Sequence, residues 1–197
     1  MSKRLKKELQ VTIDEKLGQL FFGEKKKDLR LLMLRPIDLI EFSEFAGANA
    51  DDILVWVGKT LGRSYMDKFF DSKDWSTVPM ATRKEVALGN LEALELMGFG
   101  EITGVFKKNH ILFKVSNSLA SEEKENIMAK NLCLLYQGLF SGMLETLQID
   151  ADGEEIKCVL LGNEQCVFKF NLIAEELEDR LVDEGSEENV SDFLSTI

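Results

Sequence analysis

The 197-residue chain is 45% hydrophobic and 30% charged, the composition of an ordinary folded domain, which excludes disordered and collagen-like classes. Its 24 basic and 35 acidic residues leave a net charge of −11, a field that repels phosphate backbones and anionic lipid, so nucleic acid is not an expected direct partner. Lys3, Arg4, Lys6 and Lys7 are followed by no long apolar stretch, so neither an export signal nor a membrane helix is expected and the protein reads as cytoplasmic.

Residues 8–22 alternate apolar and polar at Leu9, Val11 and Ile13, the pattern of a strand or twisted hairpin, and 24–28 form a charged turn into an apolar strand over 29–34. Pro36 opens a short helix that Gly47 stops, and Asn49 caps a second helix running to about Phe70. In that helix Gly58 and Gly62 stand four apart, a spacing that implies close approach of another helix or of a ligand. Trp56, Leu61 and Tyr65 form an apolar stripe suited to a homodimer seam. Thr82 with Glu85 three residues on is a capping box for a third helix ending at Gly98.

A hairpin follows over 99–106 and 110–115, turning at Lys107-Lys108-Asn109, after which Ser118 or Ser121 caps a long amphipathic helix through Leu147 that carries Gly138 and Gly142, again four apart. A second hairpin spans 155–160 and 166–170, and residues 173–197 read as an acidic tail. The expected fold is α+β, an antiparallel sheet with helices packed on it. The expected division is an N-terminal extension, partly β, over 1–28, a ligand-binding domain over 29–172, and the tail.

The three cysteines, in a reducing compartment, read as metal ligands or core residues before disulfides. About the turn at Gly162, Cys158 faces Cys166, and directly opposed strand residues have Cβ atoms ~4.5–5.5 Å apart, close enough for two thiolates to share one zinc. Cys133 on the long helix is a plausible third ligand. Glu154, Glu155 and Glu164 are candidates for the fourth, and periodicity does not choose Glu155, whose offset of three from Cys158 points to the other strand face unless a bulge intervenes.

The run Glu155-Ile-Lys-Cys158, Gly162, Cys166-Val-Phe168-Lys-Phe170 resembles the signature that closes the 4-vinyl-reductase, hydrocarbon-binding domain. Cys133 with Gly138 and Gly142, Gly98-Phe99-Gly100, Val115-Ser116-Asn117-Ser118 and Gly58 to Gly62 extend the resemblance over about residues 29–172. It implies the fold shared by haem-type nitric-oxide sensors and TRAPP subunits, and frequent dimerisation. It implies a zinc held by three Cys and one Glu, as in phenol-sensing transcription activators, and so selects Cys133, Glu155, Cys158 and Cys166. Such a closed site is structural, placing zinc between the long helix and the C-terminal hairpin.

The resemblance further implies an apolar ligand pocket between helices and sheet, for which Phe99, Phe106, Phe113, Tyr136 and Phe140 are the candidate lining. Phenol sensors grip the hydroxyl with a His and a Trp. Here the one histidine, His110, opens a strand with no axial-ligand motif around it, so neither phenol nor haem is expected. No nucleophile and base constellation and no phosphate loop is present, and no catalytic residue is assigned. The leading expectation is a non-catalytic sensor or carrier for a small hydrophobic molecule. The alternatives are an accessory protein in tetrapyrrole vinyl reduction and a TRAPP-like adaptor.

Overall fold

The computed structural model describes residues 11–16, 18–22, 29–69 and 74–173; the charged turn at 24–28, the basic N-terminus and the acidic tail fall outside the described residues. Strands β1 (Val11–Asp14), β2 (Gln19–Phe22) and β3 (Leu29–Leu31) form a small antiparallel sheet, so the first strand of the expected ligand-binding domain pairs with the stretch read as its extension. β3 stops at Leu31, short of the expected residue 34, and Leu32, Met33 and Leu34 are exposed.

Helix α1 (Pro36–Ala46) starts at Pro36 and ends at Gly47, whose φ of +60° suits glycine. A single 3₁₀ turn over Gly47–Asn49 leads into α2 (Ala50–Phe69), so Asn49 lies within that turn and is not the expected cap. Helix α3 (Met80–Leu96) begins two residues before Thr82 because Pro79 takes the N-cap position, which a residue with no backbone N–H fills without loss. The chain then forms β4 (Glu101–Phe106), β5 (His110–Ser116), helix α4 (Lys130–Thr146), β6 (Ala151–Lys157) and β7 (Cys166–Leu172). Ser118 begins a 3₁₀ turn, Leu119–Glu122, and α4 starts at Lys130 after a second such turn, Ile127–Ala129.

The main sheet is antiparallel with order β4-β5-β7-β6, two sequence-local hairpins joined through their inner strands. Alternation sorts the faces: Ile102, Phe106, Ile111, Phe113, Val115, Cys166, Phe168 and Phe170 are buried under the helices. The architecture is the α+β arrangement the sequence predicted.

Helix α4 is the centre of the molecule, with Leu132, Tyr136, Leu139, Phe140 and Met143 all fully buried. It meets α2 backbone to backbone. A Cβ on Gly58 would lie 2.2 Å from the Leu135 carbonyl oxygen, one on Gly62 2.2 Å from that of Leu139, one on Gly138 2.1 Å from that of Val55, and one on Gly142 2.2 Å from that of Lys59. The two glycine pairs are thus each other's partners, and any side chain there would force the helices apart. Lys59 and Arg63 pair with Glu145 at the rim of this contact.

The Trp56, Leu61, Tyr65 stripe does not form one exposed seam: Trp56 is 66% exposed, whereas Tyr65 is buried and Leu61 packs against the core. On α1, Phe42 and Phe45 point outward instead, Phe45 being 92% exposed. Among the described residues no helix is long and apolar enough to cross a membrane.

Candidate metal centre

The ligand atoms of Cys133, Glu155, Cys158 and Cys166 all lie within 4.8 Å of one another, drawn from α4, β6, the segment after β6, and β7. Local structure explains each position. Lys157 pairs with Val167, which leaves Cys158 across from Cys166, the relation expected about Gly162. The connection is not a tight turn: Cys158 precedes a 3₁₀ turn, Val159–Leu161, and Gly162 closes it with φ +85°. Cys166 pairs with Val115 at the start of β7, facing the core.

Glu155 reaches the same face through a register shift between Glu155 and Lys157. Glu155 pairs with Phe168, Lys157 with Val167, and Ile156 is the extra residue, left 46% exposed. A bulge of this kind turns an odd spacing into a shared face. Glu154 and Glu164 are exposed and stand outside the cluster. The carboxylate therefore comes from the residue periodicity could not select.

The cluster is short of partners. Cys133 Sγ lies 3.6 Å from Cys158 Sγ, and Ser118 Oγ lies 3.7 Å from Cys166 Sγ. Glu155 Oε1 is buried with no hydrogen-bond partner. Burial, and then the facing sulfur of Cys166, push the Glu155 carboxyl up to about 7. Burial pushes the Cys158 thiol up to about 11. The hydrogen bond between Cys133 and Cys166 holds the proton on Cys133, well above the ordinary thiol range, and Cys166 below it.

Three soft sulfurs and one carboxylate oxygen, crowded together and incompletely satisfied, match the donor set of a tetrahedral zinc site. Thiolates at ~2.3 Å from one zinc in that geometry stand roughly 3.8 Å apart, and the Cys133 to Cys158 separation of 3.6 Å is of that order. The residues present fit the metal that the resemblance implied.

The five aromatic residues expected around a ligand meet in one layer between α4 and the sheet. Phe113 stacks on Phe140 with ring centroids 4.4 Å apart, Phe106 meets Phe113 edge-on, and Tyr136 adjoins both Phe99 and Phe140. Tyr136 donates to the Phe99 carbonyl (2.6 Å) and accepts from the Leu119 amide (3.0 Å), and burial raises its pKa. His110 is at the other end of the sheet from the cluster, opposite Asn171, with its ring nitrogen 2.7 Å from Asn109 Oδ1.

Two buried polar residues escaped sequence reasoning because each interrupts an apolar helical stripe. Arg83, 1% exposed, donates to the carbonyls of Ser76, Val78, Leu147 and Gln148, tying α3 to the end of α4. Asn90 is fully buried on the same helix.

No family model matches the chain, and no curated protein does either. Among solved structures the fold is similar to that of the phenol-responsive sensory domain of the transcription activator PoxR, at TM-score 0.61 and 15% identity over 87% of this chain and 92% of that one. It is also similar to an H-NOX protein from S. oneidensis, at TM-score 0.52 and 14% identity over 77% and 83%. A vinyl-4-reductase family protein from Methanocaldococcus jannaschii matches at TM-score 0.45 and 18% identity over 72% and 84%, a likeness too slight to carry the fold by itself. The sensory-domain and H-NOX likenesses define the fold class of this chain.

Proposed function

We propose that this chain is a non-catalytic binding domain, a sensor or carrier for a small hydrophobic molecule, in which Cys133, Glu155, Cys158 and Cys166 hold a structural zinc. The observation that carries the proposal is the four-residue cluster, its donors within 4.8 Å of one another, set in a fold shared with a phenol-responsive sensory domain. Zinc bound there supplies a cross-link and, with four protein ligands, has no open position for water or substrate. Cys133 anchors α4 to the site, while Glu155, Cys158 and Cys166 fix the bulge and the turn of the β6–β7 hairpin. That leaves the aromatic layer of Phe99, Phe106, Phe113, Tyr136 and Phe140 on a braced wall, where an apolar guest packs against rings and excludes water. The protein works in the cytoplasm as a homodimer in this reading.

A second reading, an adaptor that docks partner proteins, draws on the outward-facing Phe42 and Phe45 of α1. Native mass spectrometry separates the two, because one spectrum reports metal, small molecule and oligomeric state. One zinc per chain with added organic mass is the expected result. A well-folded, metal-free chain that carries no small molecule and captures a partner through α1 would overturn it. Organic extraction adds one distinction: a tetrapyrrole in the extract would assign the chain to vinyl reduction as an accessory protein.

A further inference from the structure

Asn90 is 0% exposed, and neither its Oδ1 nor its Nδ2 has a hydrogen-bond partner. A primary amide left so is costly, because each unmet group forfeits its hydration with nothing in return. The surrounding residues of α3 are apolar: Ala87, Leu91 and Leu94 are all buried. A leucine would fill the position without that cost.

The direction of the side chain follows from its neighbours. Arg83 stands two helical turns earlier on the same face and bonds the Leu147 and Gln148 carbonyls at the C-terminal end of α4. Beyond the other end of α3, Phe99 accepts from Tyr136 of α4. The two helices therefore run antiparallel, and Asn90, about 10 Å along the axis from Arg83, lies on the face of α3 from which Arg83 reaches the end of α4. Tyr136 already donates and accepts, and Leu88 and Leu91 press against Gly104 of β4. Asn90 is thus a fully buried polar side chain on that face of α3 with hydrogen-bonding capacity to spare.

We propose that Asn90 is the specificity-determining residue of the ligand site, binding the one polar group of an otherwise apolar guest. An amide offers a donor and an acceptor side by side. The matching head group does the same and is uncharged, since Asn90 brings no counter-charge to a buried ion. A carboxamide or lactam on an aromatic or aliphatic body meets both conditions. This inference rests on the small-molecule reading above and narrows it to a ligand class.

The test compares benzamide with cumene, its hydrocarbon near-isostere, by calorimetry on the full-length protein and on Asn90→Leu. The expected result is that wild type binds both and that the substitution weakens benzamide about tenfold or more relative to cumene, while the unliganded variant melts higher than wild type. Asn90→Ala, which removes the amide without filling its space, gives the same shift in preference and serves if the leucine variant does not fold. If both probes bind and the substitutions leave their ratio unchanged, the role of Asn90 is overturned while the small-molecule reading stands. If neither probe binds wild type, the carboxamide assignment is overturned, and the native mass spectrum decides the small-molecule reading by itself.

Discussion

Helix α4 is held on two sides by opposite means. Toward α2 the contact is made of what is missing: four glycines let carbonyls of each helix occupy the space where side chains would stand. Toward the hairpin it is made of what is added, a thiol that meets two more thiols and a carboxylate. The first junction is complete in the polypeptide alone. The second leaves Glu155 Oε1 unpartnered and several protons held at raised pKa, so it depends on what occupies it.

Disrupting the second junction has the largest effect. With the proposed zinc bound, Cys166→Ala would remove a ligand, and with it a share of the ~10–16 kcal/mol that structural zinc sites supply. The expected outcome is loss of metal and a fall in melting temperature of about 10–20 °C. Chelation of the wild type should expose β6 and β7 amides to hydrogen exchange while the α2/α4 seam stays protected. Equal loss of protection in both regions would show that the two junctions are one cooperative unit.

Gly138→Ala attacks the first junction, placing a methyl 2.1 Å from the Val55 carbonyl oxygen. A loss of about 3 kcal/mol is expected, read by denaturant unfolding, with metal content unchanged. A variant as stable as wild type would show that the helices can slide apart at no cost.

Acidity distinguishes the loaded from the metal-free protein. Glu155 is raised to about 7 from 4.5, so in the metal-free fold its contribution is present below pH 4.5 and is lost as pH rises through 7. Metal-free wild type should therefore lose its advantage over metal-free Glu155→Gln as pH rises from 5 to 8. The loaded protein should behave in the opposite way, since Cys133, Cys158 and Glu155 must give up protons to bind, and it should release metal as pH falls. Melting curves of both forms across that range check the crossing.

The smallest effect is expected at α1, where Phe45→Ser should change stability by less than about 0.5 kcal/mol, because the ring is 92% exposed. A larger loss would mean that a second surface covers it.

The sequence made one junction more legible than the other. Two glycine pairs at four-residue spacing announce a close helix contact, since glycine inside a helix is unfavourable without a reason. The strands were readable because each hairpin keeps the two-residue alternation. Glu155 was not, because the bulge at Ile156 is a property of β6 paired with β7, and strand periodicity by itself assigns that carboxylate to the wrong face. Arg83 and Asn90 were hidden for a related reason: their partners, or lack of them, lie across a helix packing that residue patterns do not encode. Thr82 and Glu85 matched a capping pattern that Pro79 pre-empted.

The spread of the cluster along the chain sets an order of events during synthesis. Helix α2 and helix α4 are both available once Thr146 has emerged from the ribosome, whereas Cys166 emerges after Cys133 by some thirty residues, about two to seven seconds at ~5–20 residues per second. During that interval the nascent chain carries the earlier thiols without their partners, open to oxidants and to the wrong metal. The glycine seam, needing nothing but backbone, can hold Cys133 in place until β7 arrives.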